Sequence, residues 1–286
     1  MRTTIALTLL ALVASNAAGQ VLVQPPAQPS VPKPEIVING QPKDVKSALT
    51  PEQQKELADL KAWFLNYHTA PDAAKVGKAL QDLARLGEMN NGSRGWPSAA
   101  IIAALLRTHP DQTAEWCKLF EVAAEPSRYW FFTGVWFADT EPAKKVLADL
   151  AALPDGNARK LSYPYLTQPA GSLLTRRIRG PQQIEMLVNT YAITGNTEYL
   201  AKLLEGLGDP PTDDPKITEK GRARLQRIIP AVQVELARGC RRDPSIKDFC
   251  AAQVAQQQQP IAGRIEEILK MAEGTEPIPD APPIAE

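Results

Sequence analysis

Residues 126–142, with the sequence PSRYWFFTGVWFADTEP, hold the densest group of aromatic side chains in the protein. The chain has 5 Trp, 6 Tyr and 6 Phe, and six of these lie within residues 129–137. Large aromatic side chains supply much of the apolar area that a protein core buries. Helical spacing places Tyr129, Phe132 and Trp136 on one face, with further aromatics on the neighbouring face. We therefore predict a central core helix that is packed on several sides. An aromatic-lined ligand cleft is the alternative.

Gly134 lies in the middle of this stretch. Glycine lowers helix propensity, but it has no side chain, so a second helix can approach closely there. The apolar run is about ten residues long, which is half of the roughly 20 residues that a bilayer span requires. The pattern therefore favours a helix buried in protein over a helix that crosses a membrane.

Outside this stretch, helix-start and helix-stop residues follow one another, and strand signals are nearly absent. Thr50, Pro51 and Gln53 form a capping-box pattern with proline at the first helical position. Gly87 is a typical stop after a second helix, and Pro97 is a typical start for an apolar helix that follows the turn-rich loop NNGSRGWP (90–97). We predict an all-α fold, an irregular, α-solenoid-like array of helical hairpins over residues 50–273.

Three helical segments resemble one another. They are WCKLF (116–120), AKKVL (143–147) and LAKLL (200–204), and each follows a short polar turn after an apolar helix. Such recurring helix–turn–helix units resemble tetratricopeptide-type repeats, although the intervals of 27 and 57 residues differ from that family's regular repeat of about 34 residues. The resemblance implies a helical-repeat architecture and no catalytic residues.

The segment closest to the tetratricopeptide pattern is IEMLVNTYAITGNTEYLAKLLEGL (184–207). Leu187, Tyr191 and Gly195 have the spacing that the pattern favours. Val188 and Leu200 stand where the pattern prefers small residues, so the match is partial.

The first 19 residues have the features of a secretion signal. A positive Arg2 precedes the apolar run Ile5 to Ala14, and the small-residue segment SNAAG (15–19) follows. No cysteine lies in or directly after SNAAG, which argues against a lipid anchor. We expect an exported protein, periplasmic or secreted. The overall layout also resembles that of exported bacterial helical proteins of unassigned function.

Both ends of the expected mature chain have compositions typical of unfolded segments. Residues 20–49 are rich in proline, and we predict that they form a spacer. Residues 274–286 are predicted to form a disordered tail. The irregular segment 154–180 is the best candidate for a long functional loop or a seam within the helical domain.

The charges are balanced, with 32 Lys and Arg against 32 Asp and Glu. This balance gives no general electrostatic reason to expect binding to nucleic acid or to an anionic membrane. After the signal segment, no stretch approaches the length of about 18 apolar residues that a membrane helix needs. We expect no membrane span in the mature chain.

The three cysteines divide into a pair and a single residue. Cys240 and Cys250 flank a segment in which Asp243-Pro244 predicts a turn between two helices. We predict a disulfide between them, because nearby cysteines usually pair in an oxidising compartment. Cys117 lies on an apolar helical face and is expected to be a buried, inert thiol.

Motifs for metal binding and catalysis are missing from the sequence. The two histidines, His68 and His109, lie at helix ends, where a histidine commonly caps or packs. No HExxH, CxxC, GxSxG or phosphate-binding loop is present. We expect no metal and no cofactor.

Two short stretches carry the candidate binding residues. Asn91, Arg94 and Trp96 combine an amide, a guanidinium and an indole within NNGSRGWP, and Tyr163 and Tyr165 lie in the irregular segment. Such groups suit a small polar ligand or a peptide terminus; the alternative is a loop that caps the surrounding helices. We expect a non-catalytic binding or scaffold protein of the bacterial cell envelope, with a protein or peptide partner. A secreted effector or an immunity-type protein is not distinguished from this role by sequence.

A hydrolase is the alternative from a different functional class. Glu88 is an isolated carboxylate beside NNGSRGWP, and a single glutamate can serve as the general acid of an enzyme that cleaves peptidoglycan or peptide. That role would require burial to raise the pKa of its carboxyl group. The other interpretation of Glu88 is a solvated residue after a helix stop.

Overall fold

The computed structural model describes residues 49–90, 92–152, 168–209 and 218–280. Within these ranges the regular secondary structure is entirely helical and contains no strand, which confirms the predicted all-α class. The predicted signal segment and spacer, residues 1–49, lie outside the described residues except for Leu49. Most of the predicted seam, residues 153–167, lies outside them as well.

The described α-helices are numbered in chain order: α1 (Pro51–Leu65), α2 (Ala73–Arg85), α3 (Gly92–Thr108), α4 (Thr113–Glu121), α5 (Ser127–Ala138), α6 (Glu141–Ala152), α7 (Pro181–Thr194), α8 (Glu198–Glu205), α9 (Glu219–Gln226), α10 (Ile228–Arg242), α11 (Pro244–Val254) and α12 (Ile261–Glu273). Short 3-10 turns occur at Tyr67–Thr69, Pro110–Gln112 and Leu173–Thr175.

The start of α1 and the end of α2 are as the sequence predicts. The backbone N–H of Gln53 donates to the Thr50 hydroxyl at 3.3 Å, and the backbone N–H of Thr50 donates to the Gln53 side chain at 3.0 Å. Gly87 has a φ of +86°, a conformation that side-chain-bearing residues rarely adopt. These local signals fix where both helices lie before any tertiary packing is considered.

Helix α5 is the buried centre of the first half of the fold, as predicted. Trp130, Phe131, Phe132 and Phe137 are all at most 7% exposed, and the Phe131 ring stacks on Phe120 of α4 with a centroid separation of 4.0 Å. The aromatic stretch is therefore core, and the alternative of an aromatic-lined cleft is not supported over α5.

Helix α3 packs against α5 on one side and α7 on the other. It is lined with small residues, and Ala99, Ala103 and Ala104 are all buried. A Cβ atom added to Gly134 would lie 2.6 Å from the Cβ of Ile102. This confirms the expectation that Gly134 permits the close approach of a second helix.

The start of α3 differs from the prediction. Residues 92–96, which were predicted as part of a turn-rich loop, are helical, and Pro97 lies inside the helix instead of opening it. A Cβ on Gly95 would overlap the Trp130 ring at 2.1 Å. Tertiary packing of this first turn against α5 therefore outweighs the local turn preference of an Asn- and Gly-rich segment.

The C-terminal half contains α10, α11 and α12, which pack on one another, and α10 also contacts α7. Two of the breaks between helices of this half lie near prolines 230 and 260. The first separates α9 from α10 at Arg227, and Pro230 lies in the first turn of α10, where its missing N–H leaves no helical bond unmade. The second lies at 255–260, between α11 and α12.

Residues 274–280 lie along α10, although the sequence predicted a disordered tail from 274. The Arg241 guanidinium donates to the carbonyls of Gly274 at 2.7 Å and Glu276 at 3.0 Å. Arg238 donates to the Asp280 carboxylate at 2.6 Å. The last six residues, 281–286, lie outside the described residues.

Candidate functional site

A small cavity of about 190 Å³ lies where α1, α3, α7 and α10 come together. Its apolar part is formed by Phe64, Leu83, Ile101 and Val188. Its charged part is formed by five side chains from distant parts of the chain: Lys61, Glu88, Glu185, Glu235 and Arg242. We refer to this cavity as the charged pocket.

Glu88 is a buried residue of the charged pocket, and both of its carboxylate oxygens are paired. Its side chain is 8% exposed, and it pairs with Lys61 Nζ at 2.8 Å and with Arg94 Nη1 at 2.8 Å through different carboxylate oxygens. Glu88 directly follows the turn at Gly87, and the two cations lie on α1 and on the first turn of α3. Because each oxygen already accepts a charge-assisted hydrogen bond, Glu88 links α1 to the first turn of α3, and neither of its oxygens is without a partner.

Glu235 and Arg242 lie two helical turns apart on α10, so both point toward the same side of that helix. Glu235 accepts a hydrogen bond from Arg238 at 3.0 Å. The Nε atom of Arg242 is buried and, among the described residues, has no hydrogen-bond partner. Burial lowers the pKa of the Arg242 guanidinium below its ordinary value, against the opposing effect of nearby Glu235 and Asp243.

Glu185 of α7 lies at the mouth of the charged pocket and, as a whole residue, is exposed. The pKa of its carboxyl group is raised, first by desolvation and then by the negative charge of Glu235, with Lys61 opposing the shift. Within the described part of the chain it forms no salt bridge. Among the described residues, the pocket therefore has an unpaired carboxyl at its mouth and, in its wall, an arginine whose Nε atom has no hydrogen-bond partner.

Two further cavities are bounded mainly by surface residues. One, of about 260 Å³, lies beside Arg177, Lys202 and Asp209. The other, of about 680 Å³, is a groove between α10, α12 and the segment 274–279. In the groove the chain's own C-terminal segment already occupies one side, so the charged pocket is the better candidate for a ligand site.

The structure separates the binding residues that the sequence predicts. Arg94 is about half exposed and reaches the charged pocket through Glu88. Trp96 follows two residues later and so lies on nearly the opposite face of α3, where it packs against Trp130 at 5.3 Å and Phe137 at 5.9 Å between ring centroids. Asn91, Tyr163 and Tyr165 lie outside the described residues.

Sequence reasoning missed the three charged residues that distinguish the pocket: Glu185, Glu235 and Arg242. Glu185 on α7 is at least 50 residues from Glu235 and Arg242 on α10, and both helices carry other exposed charges. Arg242 in particular is one of several arginines near the end of α10 that resemble a solvated face. The signal that could have found it is the seven-residue spacing from Glu235, because it puts both charges on one helical face.

A second polar cluster joins the end of α1 to α7 and α11. Asp243 accepts hydrogen bonds from the Ser245 backbone N–H at 2.9 Å and hydroxyl at 2.7 Å, and its other oxygen is 3.6 Å from His68 Nε2. The Tyr191 hydroxyl lies 2.7 Å from the Ser245 hydroxyl. In a catalytic triad the imidazole lies between serine and aspartate, whereas here serine contacts aspartate directly. The arrangement is that of a helix cap and junction.

The other histidine also has a packing role. His109 Nε2 lies 2.8 Å from the Tyr67 hydroxyl, and the His109 ring packs edge-on against Trp116. Nowhere among the described residues do three or more His, Cys, Asp or Glu side chains converge in a way that could hold a metal ion. In the same ranges, every helix is too short or too polar to cross a membrane.

All three cysteines are buried, free thiols in the structure. Burial raises the pKa of Cys117 to about 12, as expected for an inert thiol. Cys240 and Cys250 are close enough for a hydrogen bond between their side chains, which lowers the pKa of Cys240 and raises that of Cys250. The predicted disulfide between them remains a prediction.

The chain matches no protein-family model, no curated protein and no solved structure.

Proposed function

We propose that the protein is an exported, non-catalytic binding protein of the bacterial cell envelope, in which an α-solenoid-like helical array holds a small ligand in the charged pocket. The observation that carries the proposal is Arg242. Its buried Nε atom is unsatisfied among the described residues, and proteins rarely leave a buried donor without a partner. Arg242 also lines the charged pocket, so a ligand there that offers an acceptor to its guanidinium would stabilise the complex.

The surroundings of the pocket favour binding over chemistry. Glu88 is held by two cations at 2.8 Å, so it serves poorly as a proton donor or base. Ser98, the pocket's hydroxyl, donates to the carbonyls of Glu88 and Arg94 at 3.3 Å and 3.1 Å. A nucleophile needs a neighbouring base that takes its proton, and carbonyl oxygens cannot do so. The pocket thus offers shape and charge for recognition.

The cellular setting of the proposal rests on the sequence. A signal-type N-terminus supports export, and a helical array offers surfaces suited to a protein or peptide partner in the envelope. The charged pocket would then be the small-molecule site of such a binding or scaffold protein.

Co-purification of the ligand tests the proposal. The mature protein would be isolated gently from its native compartment and denatured, and the released small molecules would be identified by mass spectrometry. A Val188→Trp variant fills the pocket, and a Val122→Trp variant adds the same side chain at a site that is 91% exposed. We expect a stoichiometric small molecule from the wild type and from Val122→Trp, and none from a folded Val188→Trp variant. The same molecules from all three proteins, or from none, would contradict the proposal.

One observation favours a second candidate function, an envelope hydrolase that acts on peptidoglycan or peptide through a carboxylate general acid. The raised pKa of Glu185 is the property that a general acid needs near neutral pH, so Glu185 replaces Glu88 as the candidate acid. Incubation with muropeptides and short peptides tests it. Turnover by the wild type that is lost in Glu185→Gln and retained in Glu266→Gln, on the exposed face of α12, would establish the hydrolase.

A further inference from the structure

We propose that the ligand of the charged pocket is a small zwitterion, with its carboxylate on Arg242 and its ammonium group between Glu185 and Glu235. The inference rests on the proposed binding function and adds the chemistry of the ligand. Three features of the pocket support it: an arginine in its lining, a carboxyl group that is unpaired among the described residues, and a small volume with an apolar wall.

The carboxylate end is assigned by Arg242. A guanidinium presents its donors as a planar fork that matches the two oxygens of a carboxylate. Among the described residues, neither nearby acidic group forms a salt bridge with Arg242: Glu235 accepts from Arg238 through one oxygen, Oε1, and Asp243 accepts from Ser245. Arg242 lines the pocket, and its Nε atom has no partner in the described part of the chain, so its guanidinium is available to an acceptor from a ligand.

The position of the ammonium group follows from two acidic side chains of the pocket, Glu185 and Glu235. Glu185 lies close enough to Glu235 and Glu88 for their negative charges to disfavour its own ionisation. The two neighbouring cations, Lys61 and Arg94, already form salt bridges with Glu88. A bound ammonium group would relieve the repulsion between Glu185 and Glu235, and a bound anion would increase it.

The size of the pocket restricts the zwitterion. A volume of about 190 Å³ is below the roughly 300 Å³ at which most ligand pockets begin. Phe64, Leu83 and Ile101 form an apolar wall. This wall offers no charged group to a polar side chain of the ligand. These features favour a molecule the size of a free amino acid with an apolar side chain over a longer peptide.

Binding titrations with matched analogues test the assignment. The probes are L-leucine, its amide, which lacks the carboxylate, its N-acetyl form, which lacks the ammonium group, and the dipeptide Leu-Leu. We expect leucine to bind and each blocked analogue to bind at least tenfold more weakly. Tighter binding of Leu-Leu would assign the same zwitterion chemistry to a short peptide instead of a free amino acid.

Two variants link each charge to its partner. Arg242→Met should weaken leucine binding at least tenfold while leaving the affinity for leucine amide unchanged. Glu185→Gln should weaken leucine binding and leave the affinity for N-acetyl-leucine unchanged. Equal binding of leucine and its blocked forms, or no loss in either variant, would overturn the assignment. Because Glu185 lies at the mouth of the pocket, its substitution remains informative even if Arg242→Met fails to fold.

The co-purification experiment separates failure of this inference from failure of the proposed function. A native ligand that is displaced by Val188→Trp but lacks either the ammonium or the carboxylate group would refute the zwitterion and leave the binding function standing. Failure of every amino acid and dipeptide probe to bind, together with a pocket that yields no native ligand, would refute both.

Discussion

The backbone of Gly134 in α5 touches the side chain of Ile102 in α3. A Cβ atom on Gly134 would lie 2.6 Å from the Ile102 Cβ and 2.9 Å from the Ala99 carbonyl oxygen, and both distances are shorter than van der Waals contact. The two central helices of the first half of the fold therefore meet at the one position in the aromatic stretch that lacks a side chain.

Gly134→Ala should destabilise the protein, although alanine is the better helix former by about 1 kcal/mol. The added methyl group must push α3 and α5 apart, and overpacking of this kind costs about 1–3 kcal/mol. Urea unfolding followed by circular dichroism measures the change. Gly263→Ala in α12 is the matched control, because its new methyl group would meet only the flexible Gln259 side chain at 3.0 Å. A Gly134→Ala variant as stable as the wild type would show that overpacking costs no more than the gain of about 1 kcal/mol in helix propensity.

Local chemistry made much of the fold predictable. The Thr50 cap, the Gly87 stop and the aromatic centre each depend on residues that are neighbours in sequence, and all three are present in the structure. The first turn of α3 was not predictable in this way. Its helical state depends on contact between Gly95 and Trp130, which are 35 residues apart, and no local rule reports such a contact.

The candidate site was less predictable than the fold. The sequence drew attention to Glu88 and Arg94, which lie within six residues of each other and meet in the structure. It gave no reason to combine Glu185 with Arg242, because only the packing of α7 on α10 brings these charges to one cavity. A charged residue on an exposed helix and one on a pocket wall have the same local sequence pattern.

Asp243→Ala should lower the free energy of unfolding by about 2–3 kcal/mol. The substitution removes the N-cap of α11, which is worth about 1 kcal/mol, and leaves buried polar groups of Ser245 and Tyr191 with fewer partners. Asp243→Asn is the control, because an amide oxygen can still cap the helix, and it should cost less. Thermal unfolding would show a decrease of about 2–4 °C for each kcal/mol. Equal losses in the two variants would mean that the cap contributes nothing.

The cysteines should respond differently to alkylation and to oxidation. Because burial raises the pKa of Cys117 to about 12, almost none of it is thiolate at pH 8, and iodoacetamide should modify it only after unfolding.

Protein from an oxidising compartment should yield a peptide that links Cys240 to Cys250, with a stabilisation of about 2–3 kcal/mol from the closed loop. Mass spectrometry of non-reduced digests measures both, with Cys117→Ser as the control. Free thiols at both positions would refute the predicted disulfide.

Glu185→Gln should stabilise the ligand-free protein at neutral pH. The pKa of Glu185 is raised in the fold from its ordinary value of 4.5, so the folded state disfavours the charged form. The resulting cost is absent well below pH 4.5 and grows as the pH rises through the raised pKa. Removing the charge at this exposed position should raise the melting temperature by about 1 °C at pH 7, and the difference should vanish at pH 4. Scanning fluorimetry at both pH values tests this, with Glu266→Gln as the exposed control. A Glu185→Gln variant that is less stable at pH 7 would show that Glu185 has a stabilising partner that outweighs the neighbouring carboxylates.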